Sequence, residues 1–349
     1  MFRKLTKALA VGAALALALT GCTTEGEEPT DGEPANTAEE VSAEGPKNGE
    51  SYVFGNIAYN MKDVWNKYSA DAFEFATGHV DEPVEVITLD AENSLEKSVS
   101  LMEELIAKDV DGISVFPISP EQAATLGQMA ADAGIPVTFE NTLPDLEESE
   151  YVSVIAAEYD LIGEEAMNYI AETYPGANVL FVAGAKGGGV YETYQEGIDR
   201  AMAELGNEIT IVDTVHGDWE TELAMNVTAD AINAGTEFDV VFANNEQMGK
   251  GVKNALDEAG IGDVPIVATG GGPDGLKMIE DGDITATMSA PVSLQGLTTF
   301  KNLYQFVVLG NTPEKFTPLP IIPVDASNIA EAVSWEPSDS AVEYIGGIQ

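Results

Sequence analysis

The chain has 349 residues, of which 60 are acidic and 15 are Lys or Arg, and its formal net charge at pH 7 is −45. A folded surface this negative repels nucleic acid and anionic membranes, so nucleic acid is excluded as a partner. It also indicates a saline or otherwise demanding external medium, where salt screens the self-repulsion. The length is sufficient for one large domain or two lobes with their own cores.

The first predicted element is a secretory signal peptide at residues 1–21. Three basic residues precede an uninterrupted run of small and apolar residues at 8–20, which is too short to span a bilayer as a stable helix. The run ends in the sequence LTGC, and Cys22 is the only cysteine of the chain. These residues resemble the lipobox of bacterial lipoproteins, which implies cleavage before Cys22 and a lipid anchor on its thiol. The alternative is an ordinary signal peptide that is cut near Ala18.

Residues 22–50 are predicted to form a disordered acidic tether. This segment is rich in Glu, Thr, Gly and Pro, and Lys47 is its only base. It has almost no large apolar side chain apart from Val41, so it buries too little surface to offset the entropy of ordering. We expect it to hold a folded domain off the membrane.

Apolar β-type runs and helical patterns alternate from residue 51 onward. In the first half of this region the predicted order is strand 52–58, helix 63–79, strand 84–90, helix 94–109, strand 112–118, helix 120–134, strand 135–141 and strand 151–157. The helix at 120–134 carries Pro120 in its first turn and Gly134 at its end, as is typical of helix boundaries.

The alternation then restarts. The predicted order is helix 160–173, strand 177–184, helix 192–205, strand 209–215, helix 219–234, strand 239–245, helix 247–259, strand 264–270, helix 273–281 and strand 284–290. Strands that alternate with helices at this spacing indicate parallel sheets covered on both faces. The sequence therefore predicts an α/β fold with two doubly wound lobes. Ligands of such sheets bind beyond the carboxyl ends of the strands, so two facing lobes would enclose a cleft.

Three segments carry a family resemblance, namely LIAKDVDGISVFPISPEQAATLGQMAADAGIPVTFENT, VFANNEQMGKGVKNALDEAGI and VATGGGPDGLKMIEDGDITATMS. In this combination, and across residues 52–325, the chain resembles the type I periplasmic binding proteins of the ribose-binding-like group. The resemblance implies a monomeric solute receptor that closes around its ligand and delivers it to an ABC permease with its ATPase. Related repressors carry a DNA-binding headpiece, which the export signal and the negative charge exclude here.

The same resemblance implies that the chain crosses between the lobes three times, near 156–159, 289–292 and 318–323. The amino-terminal lobe would then contain residues 52–157 and 292–320. The carboxyl-terminal lobe would contain residues 158–291 and 321–349. The residues after about 325 extend beyond the usual end of the family, and no role is predicted for them.

Sugar receptors of this family hold the apolar face of a ring between aromatic side chains and bind its hydroxyl groups with planar polar side chains. After the first strand, the resemblance implies that Asn60, Trp65 and Asn66 bind the ligand. Val64 replaces the first aromatic of the family's pair. Trp65 has an alternative place in the core, on the inner face of its helix.

Two further stretches of the site depart from the family pattern. After the fourth strand Asn141 replaces the family's Asp, with Glu140 beside it, and Thr142 replaces an Arg, so the bidentate clamp is absent. Glu192 stands where the family often has a second Arg, next to Tyr191. Because a buried unpaired carboxylate is costly, Glu192 either meets several ligand donors or points to water.

The second half contributes three more predicted ligand residues. Trp219 matches an aromatic that stacks on the ligand, although a packing role is the alternative. Asn245 matches a ligand-binding Asn, while Glu246 beside it either assists or caps the following helix. Gly270 replaces a ligand-binding Asp and leaves only backbone amides, and Ala290 replaces the usual Gln.

Because the charged clamps are largely gone, we expect a neutral polyhydroxy ligand such as a sugar, deoxysugar, polyol or cyclitol. A cationic or nucleoside ligand is the alternative, because three acidic residues lie beside two tryptophans in the sequence pattern of the site. The three acidic residues are Glu140, Glu192 and Glu246.

The sequence was also tested for two other functional classes, a sensory receptor and an enzyme. A sensory receptor, which presents a sugar-like signal to a membrane kinase or chemoreceptor, would use the same fold. An enzyme is not expected, since the GAKGGG sequence lacks the residues of a phosphate-binding loop. The two histidines, His79 and His216, lie far apart, although His216 could contact ligand as an alternative to solvent. No cofactor and no metal site are predicted.

Overall fold

A computed structural model describes residues 45–187 and 189–349. The predicted signal peptide, the lipid-attachment residue Cys22 and most of the predicted tether lie outside the described residues. Within the described ranges, no helix combines the length and the apolar character needed to cross a membrane.

The amino-terminal lobe is built on a six-stranded parallel sheet with strand order β11-β5-β4-β3-β1-β2. Numbered in chain order, its strands are β1 Tyr52–Ala58, β2 Val84–Asp90, β3 Gly112–Val115, β4 Val137–Glu140, β5 Val154–Ala156 and β11 Phe316–Pro318. The four strands β1, β3, β4 and β5 are almost wholly buried, as expected for a parallel sheet covered on both faces.

The carboxyl-terminal lobe repeats this plan with strand order β12-β10-β9-β8-β6-β7. Its strands are β6 Asn178–Ala183, β7 Thr210–His216, β8 Val240–Ala243, β9 Ile266–Gly270, β10 Ala286–Ser289 and β12 Ile322–Asp325. All neighbours are parallel except β12, which runs antiparallel to β10. The predicted two-lobed α/β fold is confirmed.

Helices cover both sheets. Those of the amino-terminal lobe are α1 Val64–Phe75, α2 Leu95–Ala107, α3 Pro120–Asp132, α9 Val292–Val307 and α10 Asp339–Tyr344. Those of the carboxyl-terminal lobe are α4 Tyr159–Thr173, α5 Val190–Leu205, α6 Thr221–Ala234, α7 Glu246–Glu258 and α8 Pro273–Asp281. Side-chain caps begin several of them, since Asp63, Ser94 and Ser119 each accept a backbone N–H of the first turn.

The chain passes from one sheet to the other between β5 and α4, between β10 and α9, and between β11 and β12. The predicted assignment of residues 321–349 to the carboxyl-terminal lobe is wrong for its last part. Helix α10 packs against α9 of the amino-terminal lobe, where Ala341 and Val342 are buried. The Lys301 Nζ of α9 donates to the Ile345 carbonyl at 2.7 Å. The apolar residues of this terminus therefore return to the first lobe.

The end of the predicted tether also differs from expectation. Residues 46–49 form a turn, closed by a hydrogen bond from Gly49 N to Pro46 O. The backbone N of Lys47 donates to Asp111 Oδ1 at 2.9 Å, and its Nζ donates to the Val110 carbonyl at 3.0 Å. The only base of the segment thus finds acceptors on the lobe, so the ordered domain begins before residue 51.

Candidate ligand-binding site

A cleft opens between the lobes at the carboxyl ends of the strands. Its amino-lobe side is a cavity of about 560 Å³ lined by residues that follow β1, β3 and β4. Its carboxyl-lobe side is a cavity of about 220 Å³ lined by residues that follow β8 and β9. Trp65, Tyr159 and Val190 line both cavities, so the two are parts of one cleft.

All three tryptophans of the chain, Trp65, Trp219 and Trp335, line the smaller cavity. The Trp65 and Trp335 rings meet edge to face, with centroids 5.1 Å apart and an interplanar angle of 81°. Trp219 has a φ of 71° and lies against Gly184, where a Cβ atom would come within 2.0 Å of its ring. Flat apolar faces of this kind are suited to the apolar side of a small ring.

Two buried N–H groups at the cleft have no acceptor among the described residues. They are the indole Nε1 of Trp65 and the side-chain Nδ2 of Asn244, which is 2% exposed. Asn244 Oδ1 is fixed by the Gly184 backbone N–H at 3.0 Å, so the Nδ2 orientation is set. Since buried donors are costly when unpaired, both are available to a polar group in the cleft.

The predicted asparagines of the first lobe line the larger cavity, as does Trp65. Asn66 Nδ2 donates to Asp63 Oδ1 at 3.0 Å, and the Asn60 backbone N donates to Asn66 Oδ1 at 3.4 Å. Asn141 has a φ of 60°, and its Oδ1 accepts from the Tyr159 hydroxyl at 3.4 Å. The local hydrogen bonds therefore hold these amides at the cleft wall.

Asn245 and Gly270 line the smaller cavity together with Trp219. Asn245 begins α7, because its Oδ1 accepts from the Met248 backbone N at 2.7 Å. Its Nδ2 donates to the Trp219 carbonyl at 3.4 Å. Asn245 thus fills the capping role that the sequence had left open for Glu246, and it also connects α7 to the Trp219 loop.

Glu246 is a buried carboxyl group at the edge of the smaller cavity. Its Oε1 accepts from the Gly271 backbone N at 2.5 Å and from the Thr287 hydroxyl at 2.8 Å. A Cβ atom at Gly270 would come within 2.8 Å of its Oε2, so the missing side chain at Gly270 leaves room for this carboxyl group. Burial raises the pKa of Glu246 to about 7.

Glu140 lies away from the cleft, which corrects its predicted place in the site. It is the last residue of β4, is 1% exposed and lines neither cavity. Its carboxyl group accepts from the hydroxyl groups of Ser69 and Ser114 and from Gln295 Nε2. Its side chain points toward α1 and α9, into the lobe, while the next residue, Asn141, reaches the cleft.

Tyr191 and Glu192 also lie outside the cavity linings. Glu192 is partly exposed, and the backbone N–H of Gly187, whose N lies 2.6 Å from its Oε1, is the main cause of a lowered pKa. Tyr191 packs edge to face on His216, with centroids 5.0 Å apart. Because α5 begins at Val190, the residues on its cleft face are Val190 and Tyr194, one turn apart.

Sequence reasoning missed several lining residues. Tyr159 and Tyr194 form a ring pair with centroids 5.4 Å apart, and the Tyr194 hydroxyl lies 3.0 Å from Thr269 Oγ1. Trp335 belongs to the carboxyl-terminal residues for which no role was predicted. Its only sequence signal was its rarity, as one of three tryptophans. Within the described ranges, no group of three His, Cys, Asp or Glu side chains is placed to hold a metal ion.

The chain was compared with known families and proteins. A family model described as a periplasmic binding protein domain matches residues 54–311. The ribose import binding protein of Escherichia coli is 29% identical over 206 residues, which cover 58% of this chain and 68% of that protein. The xylitol-binding protein of Mycolicibacterium smegmatis is 32% identical over 212 residues, which cover 58% of this chain and 58% of that protein.

Solved structures share the fold. An ABC transporter solute binding protein from Bacillus halodurans C-125 with bound myo-inositol superposes with a TM-score of 0.68 at 25% identity. The match covers 80% of this chain and 96% of that chain. Together with the match over residues 54–311, these findings show that the chain belongs to the periplasmic binding protein family, whose matched members are substrate-binding transport proteins and not enzymes.

Proposed function

We propose that this protein is an extracytoplasmic, lipid-anchored receptor that captures one small neutral polyhydroxy molecule and delivers it to an ABC importer. The observation that carries this proposal is the cleft lining, in which all three tryptophans lie beside side-chain amides. Among the described residues that line the cleft, none is Lys or Arg. Such a lining favours a ligand with an apolar face and neutral hydroxyl groups over an anion.

The size of the cleft is suited to a small molecule. Its larger part, about 560 Å³, lies within the roughly 300–1,000 Å³ of pockets that hold small-molecule ligands, and the 220 Å³ part adjoins it. The relatives named for ribose and xylitol, and the structure with bound myo-inositol, take molecules of this class. The cationic alternative loses two of its three acids, since Glu140 and Glu192 line neither cavity and only Glu246 lines one.

Closure of the two lobes is the proposed mechanism. The first lobe contributes Trp65, Asn66 and Asn141 to the cleft, and the second contributes Trp219 and Asn245. A ligand that contacts both sets stabilises the closed arrangement more than the open one, and the population shifts accordingly. The permease then recognises the closed form.

The lipid anchor is supported by the sequence alone, through the lipobox-like residues LTGC that end at Cys22. Two or more acyl chains are needed for stable anchoring, and this family of anchors supplies them at the cysteine. Cys22→Ser removes the acylated atom, so the variant should leave the membrane fraction; retention there would contradict the anchor.

The first experiment is thermal unfolding of residues 45–349 with xylitol, myo-inositol, D-ribose and D-allose, followed by calorimetric titration. A ligand at 100 times its dissociation constant stabilises the fold by about 2.7 kcal/mol. Trp219→Ala and Asn245→Ala should each weaken binding about 10- to 100-fold, which corresponds to about 1.4–2.8 kcal/mol.

Two control variants separate binding from folding. Asn245→Ser keeps an oxygen that can cap α7 but loses the amide, so it should weaken binding while retaining stability. Asn207→Ala, on an exposed turn, should change neither. No stabilisation by any of the four compounds would contradict the proposed ligand class. Unchanged affinity in both the Trp219 and the Asn245 variants would contradict the site.

A further inference from the structure

The carboxyl-terminal segment, residues 326–349, lies across both lobes. Near its start Asn328 Nδ2 donates to the Pro323 carbonyl of β12 at 2.9 Å, in the second lobe. Near its middle the Ser293 hydroxyl of α9 donates to the Ser334 carbonyl at 2.6 Å. Its end is α10, which packs on α9 of the first lobe. The segment is therefore a fourth passage of the chain between the lobes.

Trp335 is the residue of this segment that enters the cleft. It is 8% exposed, and its Nε1 donates to the Gly270 carbonyl of the second lobe at 3.2 Å. Its ring meets Trp65 and Tyr68 of α1 edge to face, with centroid distances of 5.1 and 6.2 Å. One indole thus contacts the cleft faces of both lobes.

We propose that Trp335 is a specificity-determining residue of the binding site, forming a wall that limits the size of the ligand. The proposal rests on the proposed function for the class of that ligand. Trp335 lies beyond the matched family region, which ends at residue 311. The wall is therefore supplied by a part of the chain outside that region.

The contacts of Trp335 explain why it limits size and does not bind ligand hydroxyl groups. Its single N–H is already used by Gly270, so the ring offers the cavity an apolar surface only. The ring is also in contact with Trp65 and lies close to the loop at Gly272, where a Cβ atom would lie 3.4 Å from it. A larger ligand would have to displace an indole that three contacts hold in place.

A ligand-free measurement tests the placement of Trp335. Trp65 is the only tryptophan in both the double variant Trp219→Phe, Trp335→Ala and the double variant Trp219→Phe, Trp335→Phe. If residue 335 covers Trp65, acrylamide should quench Trp65 fluorescence at least twofold more strongly in the Ala variant, since Phe retains a ring. Equal quenching in the two variants would overturn the placement and the proposal with it.

A ligand titration tests the specificity. Xylitol and myo-inositol are titrated into the wild-type protein and into Trp335→Ala, Trp335→Phe and the control Tyr344→Ala, whose side chain is 53% exposed on α10. Trp335→Ala should shift the ratio of the two affinities at least fivefold toward the bulkier myo-inositol. Trp335→Phe should shift it less than threefold, and Tyr344→Ala should leave it unchanged.

An unchanged ratio in a folded Trp335→Ala variant would overturn the specificity role. If none of xylitol, myo-inositol, D-ribose and D-allose binds the wild-type protein, the proposed ligand class fails. Binding of either polyol to Trp335→Ala but not to the wild type would then support the wall directly. If neither polyol binds the wild type or Trp335→Ala, the size limit set by Trp335 is not the reason that the wild type excludes them. The proposal would then be overturned, whatever the quenching experiment shows.

Discussion

Each lobe buries one carboxyl group near the carboxyl ends of its strands, and the two groups differ in their donors. Glu140 of the first lobe is bonded by three side chains, those of Ser69, Ser114 and Gln295. Glu246 of the second lobe is bonded by the Gly271 and Gly272 backbone N–H groups and by Thr287. Burial raises the pKa of both above the usual range of a glutamate.

A raised pKa therefore does not by itself identify a ligand-binding group. Side-chain donors enclose Glu140 within its lobe, where it connects β4 with α1 and α9. Backbone donors from the loop after β9 hold Glu246 at the cleft edge instead, where it fixes that loop. Position relative to the cleft separates a structural carboxyl group from a candidate functional one.

The largest effect is expected from Glu140→Ala. The change leaves the buried Ser69 and Ser114 hydroxyl groups without their acceptor, removes one acceptor of Gln295 and opens a cavity, so we expect the free energy of unfolding to fall by about 2–4 kcal/mol. Urea unfolding at pH 7 measures this loss. Glu140→Gln keeps the volume and one oxygen and should lose less. If Glu140→Ala folds but its ligand affinity falls more than threefold, Glu140 has a role in the site, which would contradict its assignment as a structural carboxyl group.

The pH dependence of stability tests Glu246. Its pKa of about 7 in the folded protein exceeds the ordinary value of 4.5. The folded state therefore holds this proton more tightly, and the associated stability is present below pH 4.5 and lost as the pH rises through about 7. Relative to Glu246→Gln, the wild-type protein should lose on the order of 2–3 kcal/mol of unfolding free energy between pH 5 and pH 8.

Urea unfolding of both proteins at the two pH values measures the difference. Glu192, which is partly exposed and whose pKa is lowered, provides the control, because Glu192→Gln should not remove this loss. If the free energy of unfolding changes equally with pH in the wild type and in Glu246→Gln, the pKa of Glu246 is not raised. Glu246 would then ionise like an ordinary surface carboxyl group.

The smallest effect is expected from Gly275→Ala in α8. Its Cβ atom would lie 2.0 Å from the Glu246 Cδ, so the carboxyl group must move. We expect about 1–2 kcal/mol of destabilisation from overpacking, with weaker ligand binding. Gly249→Ala in α7 is the matched control, because its nearest neighbour would be 3.5 Å away. It should be neutral or slightly stabilising by thermal unfolding. Equal effects of the two substitutions would show that the loop does not depend on the position of Glu246.

The fold could be predicted because strands and helices with regular apolar patterns alternate along most of the chain. Helix α9 escaped prediction because burial does not follow apolar character along it: its buried residues include Ser293, Gln295, Thr299 and Asn302. The edge strands β11 and β12 escaped because they are three and four residues long.

The site was predicted only in part. Trp65, Trp219 and Asn245 lie in the loops or at the helix starts that follow β1, β7 and β8, so topology brings them to the cleft. The residue at which α5 begins determines which of its side chains face the cleft. Sequence patterns do not locate a helix start to one position, so Tyr191 and Glu192 were wrongly predicted to face the cleft. Trp335 depends on the path of a long terminal segment, which no local pattern encodes.

The turn at Lys47 has a mechanical consequence. Asp111, which accepts the Lys47 backbone N–H at 2.9 Å, also accepts the Val53 backbone N–H at 2.7 Å, at the amino ends of β1 and β3. The chain thus enters the first lobe at the amino ends of its strands, which is the end of the sheet opposite to the cleft. A force applied to the chain at this turn would therefore act on the first lobe alone, at the end of its sheet away from the cleft.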